Sequence, residues 1–159
     1  MSMVAYFGRC SQTASWHAHQ ALAGHIRRQS TLRDGQSFTR KHSGFQASDV
    51  QAWAALTGDT NPLHVSEVAA KDAGLGGAIL PGMLCASLFP AIIGSQFPGA
   101  LYLTQTLNFR QPALVKEPLE AEVIVKKING RRVMFETICR RSSDQAVLVD
   151  GAALARIQT

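Results

Sequence analysis

The second half of the chain alternates apolar and polar residues in four runs that turn-forming residues separate. Alternation with a period of two is typical of β-strands that bury one face. The predicted strands cover residues 101–109, 119–128, 132–140 and 146–157. Asn129-Gly130 is the pair preferred in type I′ hairpins, and Ser142-Ser143-Asp144 favours a second turn. We therefore expect a largely antiparallel sheet.

Helical spacing of apolar residues is found before these strands. Residues 37–45 include β-type side chains, and the capping-box pattern of residues 48–51 then predicts a helix that Gly58 ends in a left-handed conformation. Ser66 can cap a second, short helix, which Gly74 stops.

A third helical segment, residues 82–93, is apolar on nearly every side, and Pro81 stands at its first position. A helix without a polar face must be buried. Pro90 lacks an N–H and clashes with the preceding turn, so we expect a kink or an early end near Leu88. One buried helix followed by antiparallel strands predicts an α+β fold in which the sheet wraps around the helix.

Length and composition fit one globular domain. The chain has 159 residues, of which 46% are hydrophobic, enough for a single core. Three cysteines without a C-x-x-C spacing favour a reducing compartment over a disulfide framework. The histidines lack the spacing of metal ligands, so we expect no metal and no cofactor. No apolar run reaches the roughly 18 residues that a membrane span needs.

The net charge of +5 is concentrated in the first part of the chain. Residues 1–33 contain four arginines and no acid, whereas residues 34–159 contain twelve basic and eleven acidic residues, a net charge of +1. A nearly neutral domain argues against nucleic acid as a partner. The acid-free leader resembles an organelle transit peptide and favours a mitochondrial location. The alternative is a tail without a targeting role on a cytoplasmic protein.

The loop after the first helix carries the candidate chemistry. Residues 56–64 read Leu-Thr-Gly-Asp-Thr-Asn-Pro-Leu-His, with Asp59 and His64 five positions apart. An Asp and a His close in space can act as an acid/base pair, in which one group accepts a proton and the other delivers one. Pro62 favours an extended conformation at Asn61 and shapes the loop so that the two side chains can converge on one water.

This motif, the block Ile-Leu-Pro-Gly-Met-Leu-Cys-Ala-Ser-Leu at 79–88 and the strand from Leu101 to Phe109 resemble the MaoC-like (R)-specific enoyl-thioester hydratases over residues 38–157. The resemblance implies a hotdog fold, a homodimer, and reversible syn addition of water to trans-2-enoyl thioesters, giving (3R)-3-hydroxyacyl thioesters. Pro81 stands where that family commonly has histidine, which puts the shape of the pocket in doubt. Pro90 is a second departure.

Five residues are candidates for the site. Asp59 and His64 form the acid/base pair, with the order of the two roles left open. Asn61 holds the water or the substrate, and the Gly82 N–H at the start of the buried helix binds the enolate oxygen of the thioester. Ser87 is a candidate pocket residue.

Structural roles compete with these functional ones. Asp59 could be a turn residue and His64 a loop histidine with a structural hydrogen bond. Ser87 could bond the carbonyl one turn back. Tyr102 and Gln105 line the acyl tunnel or are ordinary strand residues. The basic residues around the predicted hairpin are Lys126, Lys127, Arg131 and Arg132. They either bind the phosphates of coenzyme A or an acyl carrier protein, or are simply exposed to solvent.

Several functions remain open at this stage. The substrate is an acyl-CoA or an acyl carrier protein thioester, and the leader favours the carrier protein of mitochondrial fatty-acid synthesis. A hotdog thioesterase is disfavoured because residues 81–94 contain no Asp, Glu or His. A non-catalytic acyl-thioester binding module is disfavoured by the intact set of Asp59, Asn61 and His64.

Overall fold

An antiparallel sheet against which two consecutive helices pack forms the centre of the computed structural model, which describes residues 32–158. The predicted leader lies outside the described residues except for its last two positions. The described strands are β1 (Ser37–His42), β2 (Leu101–Phe109), β3 (Leu119–Asn129), β4 (Arg132–Arg141) and β5 (Val147–Arg156). Their order in the sheet is β1-β3-β4-β5-β2, and every neighbouring pair is antiparallel.

The helices lie between β1 and β2 in the chain. They are α1 (Ala47–Thr57), α2 (Pro62–Val65), α3 (Glu67–Asp72), α4 (Gly82–Ala86) and α5 (Leu88–Gln96). The predicted α+β class is confirmed. Within the described part of the chain, no helix is long and apolar enough to cross a membrane.

The core lies between α5 and the inner face of the sheet. Phe89, Ile92 and Ile93 of α5 are buried, and so are alternate residues of β3 and β4. Phe97 follows α5 and packs on Phe135 of β4, with ring centroids 5.9 Å apart. The apolar residues whose period-two spacing predicts the strands are therefore those that face the helices.

The long apolar segment forms two helices rather than one. Pro81 is the N-cap of α4 rather than its first residue, and α4 ends before Ser87, after which α5 runs from Leu88 to Gln96. The break is one residue from the predicted kink. Pro90 explains it, because a helix continuing through this point would need a hydrogen bond from an N–H that proline lacks to the carbonyl of Ala86.

Two other predicted helix and turn details are wrong. The first helix begins at Ala47, before the predicted capping box at residues 48–51. Gln46 and Asp49 form the capping box instead. The β3–β4 hairpin is not of type I′. Its two loop residues are Gly130 and Arg131, and of these Gly130 alone has a positive φ, 56°, as in a type II′ turn.

Candidate active site

His64 is held by a short helix that the sequence pattern did not reveal. Asn61 is the N-cap of α2, and its Oδ1 accepts a hydrogen bond from the backbone N–H of Leu63 at 3.1 Å. The extended ψ of 119° at Asn61 agrees with the restriction that Pro62 imposes. Two further bonds fix α2: Ile79 N–H donates to the Leu63 carbonyl, and His64 Nδ1 lies 2.9 Å from the Ile79 carbonyl oxygen.

The bond to Ile79 determines which nitrogen of His64 is available for chemistry. A carbonyl oxygen can only accept, so Nδ1 carries a hydrogen and donates it. Nε2 therefore faces the Asp59 carboxyl group, at 3.7 Å from its Oδ2. The other carboxyl oxygen, Oδ1, accepts from the backbone N–H of Asn61 at 3.2 Å. The separation of Nε2 and Oδ2 exceeds a direct hydrogen bond and leaves both atoms free to share a reacting group between them.

A cavity of about 430 Å³ lies beside His64. Most of its lining is apolar, and the polar side chains in the lining are His64, Arg110 and Gln111. The apolar part comes from residues 79–85 and 109–113 and from the start of β5. A mostly apolar cavity with a few polar groups at one side is typical of a site for a ligand with an apolar chain and a polar head.

Gly82 forms part of the cavity wall at the start of α4. A Cβ at this position would lie 2.6 Å from Cε1 and 2.7 Å from Cδ1 of Phe109, the last residue of β2. Glycine therefore allows the phenyl ring to rest on the beginning of α4. Phe109 is 54% exposed, so little else holds the ring in place.

Five predicted or candidate residues lie outside the cavity lining. Asp59 is one of them and faces His64, which does line the cavity. Asn61 is exposed and caps α2. Ser87 lies between α4 and α5, and its Oγ donates to the carbonyl of Leu84 at 2.6 Å, the structural alternative for this residue. Tyr102 Oη donates to Gln105 Oε1 at 2.6 Å, and this pair also lies outside the lining.

Two residues of the lining were not singled out by their sequence. Cys85 on α4 is buried, and this burial raises the pKa of its thiol to about 12, with a smaller contribution from Cys139. Arg110 follows β2, and its guanidinium binds the Asp150 carboxylate at 2.8 Å. Their proximity to the site depends on the pairing of β2 with β5 and on the position of α4, neither of which leaves a local signal.

The basic residues of the hairpin lie at the opposite end of the sheet from the cavity. Arg132 pairs with Arg156, whereas the cavity lies near the pairing of Cys139 with Val149. Seven residues of β4 separate the two places, roughly 23 Å along a strand. Lys126 is in addition paired with Glu136 at 3.1 Å. Within one protomer, the hairpin does not reach the cavity. The described residues also include no group of three potential metal ligands.

Known proteins share both the sequence and the fold of this chain. The model of the MaoC like domain family matches residues 27–147. A mitochondrial 3-hydroxyacyl-(acyl-carrier-protein) dehydratase of Solanum lycopersicum is 39% identical over 118 residues, which cover 71% of this chain and 70% of the relative. An (R)-specific enoyl-CoA hydratase of Aeromonas caviae is 36% identical over 131 residues, 80% of this chain and 96% of the relative.

The solved structure of the (R)-hydratase from A. caviae superimposes with a TM-score of 0.77 at 32% identity, covering 81% of this chain and 99% of that one. The predicted hotdog fold is thereby confirmed. The family model matches 121 of 159 residues, counted from 27 to 147, and the matched region includes all three segments that carry the resemblance. The chain belongs to the MaoC-like family.

Proposed function

We propose that this protein is a hydro-lyase that interconverts trans-2-enoyl thioesters and (3R)-3-hydroxyacyl thioesters, with Asp59 and His64 as its acid/base pair. One observation carries the proposal: the Asp59 carboxyl group and His64 Nε2 face each other at 3.7 Å, and His64 lines an apolar cavity. Dehydratase and hydratase relatives that are 36–39% identical support the same reaction.

Each half of the reaction has a group to perform it. In hydration, one member of the pair removes a proton from water while the water oxygen bonds to the β-carbon of the enoyl group. The electron pair of the double bond moves toward the thioester carbonyl, and the other member of the pair delivers a proton to the α-carbon. Dehydration is the reverse. The pair therefore holds one proton before and after the step, first on the acid and then on the base. His64 takes part through Nε2 in either role, since Nδ1 is engaged by Ile79.

The developing negative charge on the thioester oxygen requires a hydrogen-bond donor. The N–H of Gly82 fits this role because it is the first of α4, where no preceding helical turn supplies an acceptor. A helix of five residues has a weak macrodipole, so the N–H itself, rather than the charge of the helix end, is the relevant group.

The cavity lining suits a reactive acyl chain. An enoyl thioester is an electrophile to which a thiolate adds, and Cys85 stands in the wall. With its pKa raised to about 12 by burial, the thiol is present as thiolate at a fraction of only ~10⁻⁵ near pH 7. Burial thus protects the enzyme from alkylation by its own substrate.

The favoured physiological substrate is an acyl carrier protein thioester of mitochondrial fatty-acid synthesis, and residues 1–33 act as a transit peptide ahead of the domain at 34–159. The mitochondrial carrier-protein dehydratase of Solanum lycopersicum supports this choice. The second candidate function is that of an (R)-specific enoyl-CoA hydratase. The relative of Aeromonas caviae supports it, since the match with this chain covers 96% of that relative.

A homodimer is part of the proposal, and the two sheet edges indicate how it forms. Edge strand β1 carries Arg40 and Lys41, charges that oppose pairing with another strand. The other edge, β2, has nine residues without a charge, and Leu101 and Leu103 are 50% and 39% exposed. Two copies of β2 related by a two-fold axis would pair antiparallel and cover this apolar edge.

A substrate comparison tests the reaction and the carrier together. Purified protein is assayed with crotonyl-CoA and with the crotonyl thioester of an acyl carrier protein, and the configuration of the 3-hydroxy product is determined. We expect the (3R) product from both and a higher kcat/KM with the carrier protein. A higher kcat/KM with crotonyl-CoA would favour the second candidate, and release of free acid would indicate a thioesterase.

The acid/base pair is tested by Asp59→Asn and His64→Gln, which retain size but not proton transfer. Each should lower turnover by roughly 10²-fold or more while leaving the fold unchanged. The double variant should be scarcely slower than either single one, because groups that act as a unit give non-additive losses. Near wild-type turnover in both single variants would refute the pair, and binding without turnover in the wild type would identify a binding module.

A further inference from the structure

His64 borders a second cavity in addition to the apolar one. This second cavity, which we call the rear cavity, has a volume of about 250 Å³ and lies among α1, α2, α3 and the segment that follows Leu114. Its lining is more polar than that of the first, since it includes Gln51, Glu67 and Lys116. His64 contributes to the linings of both.

A backbone bridge lies where the linings of the two cavities meet. Ile79 and Leu114 form an isolated antiparallel bridge, and His64 is bonded to this bridge through the Ile79 carbonyl. Ala113 precedes the bridge residue and lines the first cavity, whereas Val115 follows it and lines the rear cavity. His64 therefore borders two cavities that largely different chain segments enclose.

The lining of the rear cavity includes both exposed and buried residues. Three residues at its rim, Ala47, Gln51 and Lys116, are exposed, whereas Val50 and Ala78 in its lining are 2% and 7% exposed. The exposed polar residues Gln51 and Lys116 share this lining with the largely buried side chain of His64. Such a lining is suitable for ordered water, which needs hydrogen-bond partners along its path.

The proposed reaction, on which this inference rests, supplies a reason for a second opening. Dehydration releases one water between the Asp59 carboxyl group and His64, at a moment when the thioester occupies the apolar cavity. That water must leave, or a new one must arrive, without displacing the acyl chain. We propose that the rear cavity is a water passage through which the reacting water exchanges with solvent while the thioester remains bound.

Isotope exchange at chemical equilibrium tests the passage in the full-length enzyme. Two fluxes are measured in one mixture of crotonyl-CoA and 3-hydroxybutyryl-CoA. The first is the transfer of an oxygen isotope between water and the 3-hydroxyacyl thioester, and the second is the transfer of a carbon isotope between the two thioesters. Because water can leave before the thioester does, we expect the oxygen flux to exceed the carbon flux in the wild type.

Narrowing the rear cavity should remove this excess. Ala47→Phe adds a ring at the exposed rim, where folding tolerates it, and Gln51→Phe does the same one turn away. In both variants the oxygen flux should fall to the carbon flux or below, with KM for the thioester unchanged. Ala52→Phe is the matched control, since it adds the same ring to an exposed position of α1 outside the lining, and it should behave as the wild type.

The outcomes separate this inference from the proposed function. An oxygen flux that does not exceed the carbon flux in the wild type overturns the passage, because water then waits for the thioester to leave. An excess that survives both rim variants overturns it as well. Absence of either flux in the wild type would instead refute the hydratase function itself.

Discussion

Gly82→Ala tests the proposed role of the Gly82 N–H as an oxyanion donor separately from the packing of Phe109 on this residue. The added Cβ would lie 2.6 Å from Cε1 of Phe109, whereas carbon atoms prefer 3.5–4.0 Å, so the ring must retreat by about 1 Å. Overpacking of a closed core costs about 1–3 kcal/mol. Phe109 is 54% exposed and can move, so we expect a loss of about 1 kcal/mol in the free energy of unfolding.

The effect on turnover should be larger than the effect on stability. The methyl group and the displaced ring would both occupy space beside the Gly82 N–H, the group proposed to bind the thioester oxygen. Removal of one oxyanion donor lowers kcat by about 10²–10³-fold, and we expect a loss near the lower limit. Urea denaturation gives the stability, and the hydration of crotonyl-CoA gives kcat and KM.

A second substitution distinguishes the ring from the methyl group. Phe109→Ala in the Gly82→Ala background removes the atoms that the new Cβ would meet, so the free energy of unfolding should return toward that of the single variant Phe109→Ala. If the methyl group itself blocks the N–H, kcat stays low. A Gly82→Ala enzyme with wild-type kcat would refute the role of this N–H, whatever its stability.

Three further predictions concern the dimer, the response to acid and the leader. We expect the wild type to be a dimer in light scattering and the variant with Leu101→Lys and Leu103→Lys to be a monomer, because the charges oppose the proposed pairing of β2. A dimeric variant would place the interface elsewhere. The hydrogen bond from Arg110 lowers the pKa of Asp150 in the folded protein. This bond therefore stabilises the fold at pH values above the ordinary aspartate pKa of about 3.9. The stabilisation is lost as the pH falls through the lower pKa of the folded state. Asp150→Asn should flatten that part of the pH dependence of unfolding. Removal of residues 1–33 should abolish mitochondrial import in fractionated cells and leave hydration unchanged, whereas lost turnover would assign them to the domain.

Most strands and some helix ends could be predicted because their signals are local. Period-two alternation gave β2 with both of its ends as observed, and Gly58 has the left-handed φ of 76° that a helix C-cap requires. Ser66 caps α3 as expected and accepts from Ala69 N–H at 3.2 Å. Each of these features depends on residues within one turn or one strand of each other, which is the range that sequence patterns cover.

The contacts that complete the site could not be predicted in the same way. The sequence predicts a role for the N–H of Gly82, but it does not predict that the ring of Phe109, 27 positions away, lies against this glycine. Ser87 was considered with two roles, and the structure shows the hydrogen bond to Leu84. Such contacts depend on strand order and on the position of α4, so no periodicity in the sequence records them.

The proposed acid/base pair shows why a recognisable motif still depends on the rest of the fold. Four residues in α2 are too few to form a stable helix on their own, since nucleation is unfavourable and few hydrogen bonds offset it. The helix persists because Asn61 caps one end and the backbone of Ile79 binds both the Leu63 carbonyl and the His64 ring. The orientation of Nε2 toward Asp59 is thus set by a residue outside the motif. Because Ile79 also forms the bridge to Leu114, the same contact that orients the imidazole separates the apolar cavity from the rear cavity.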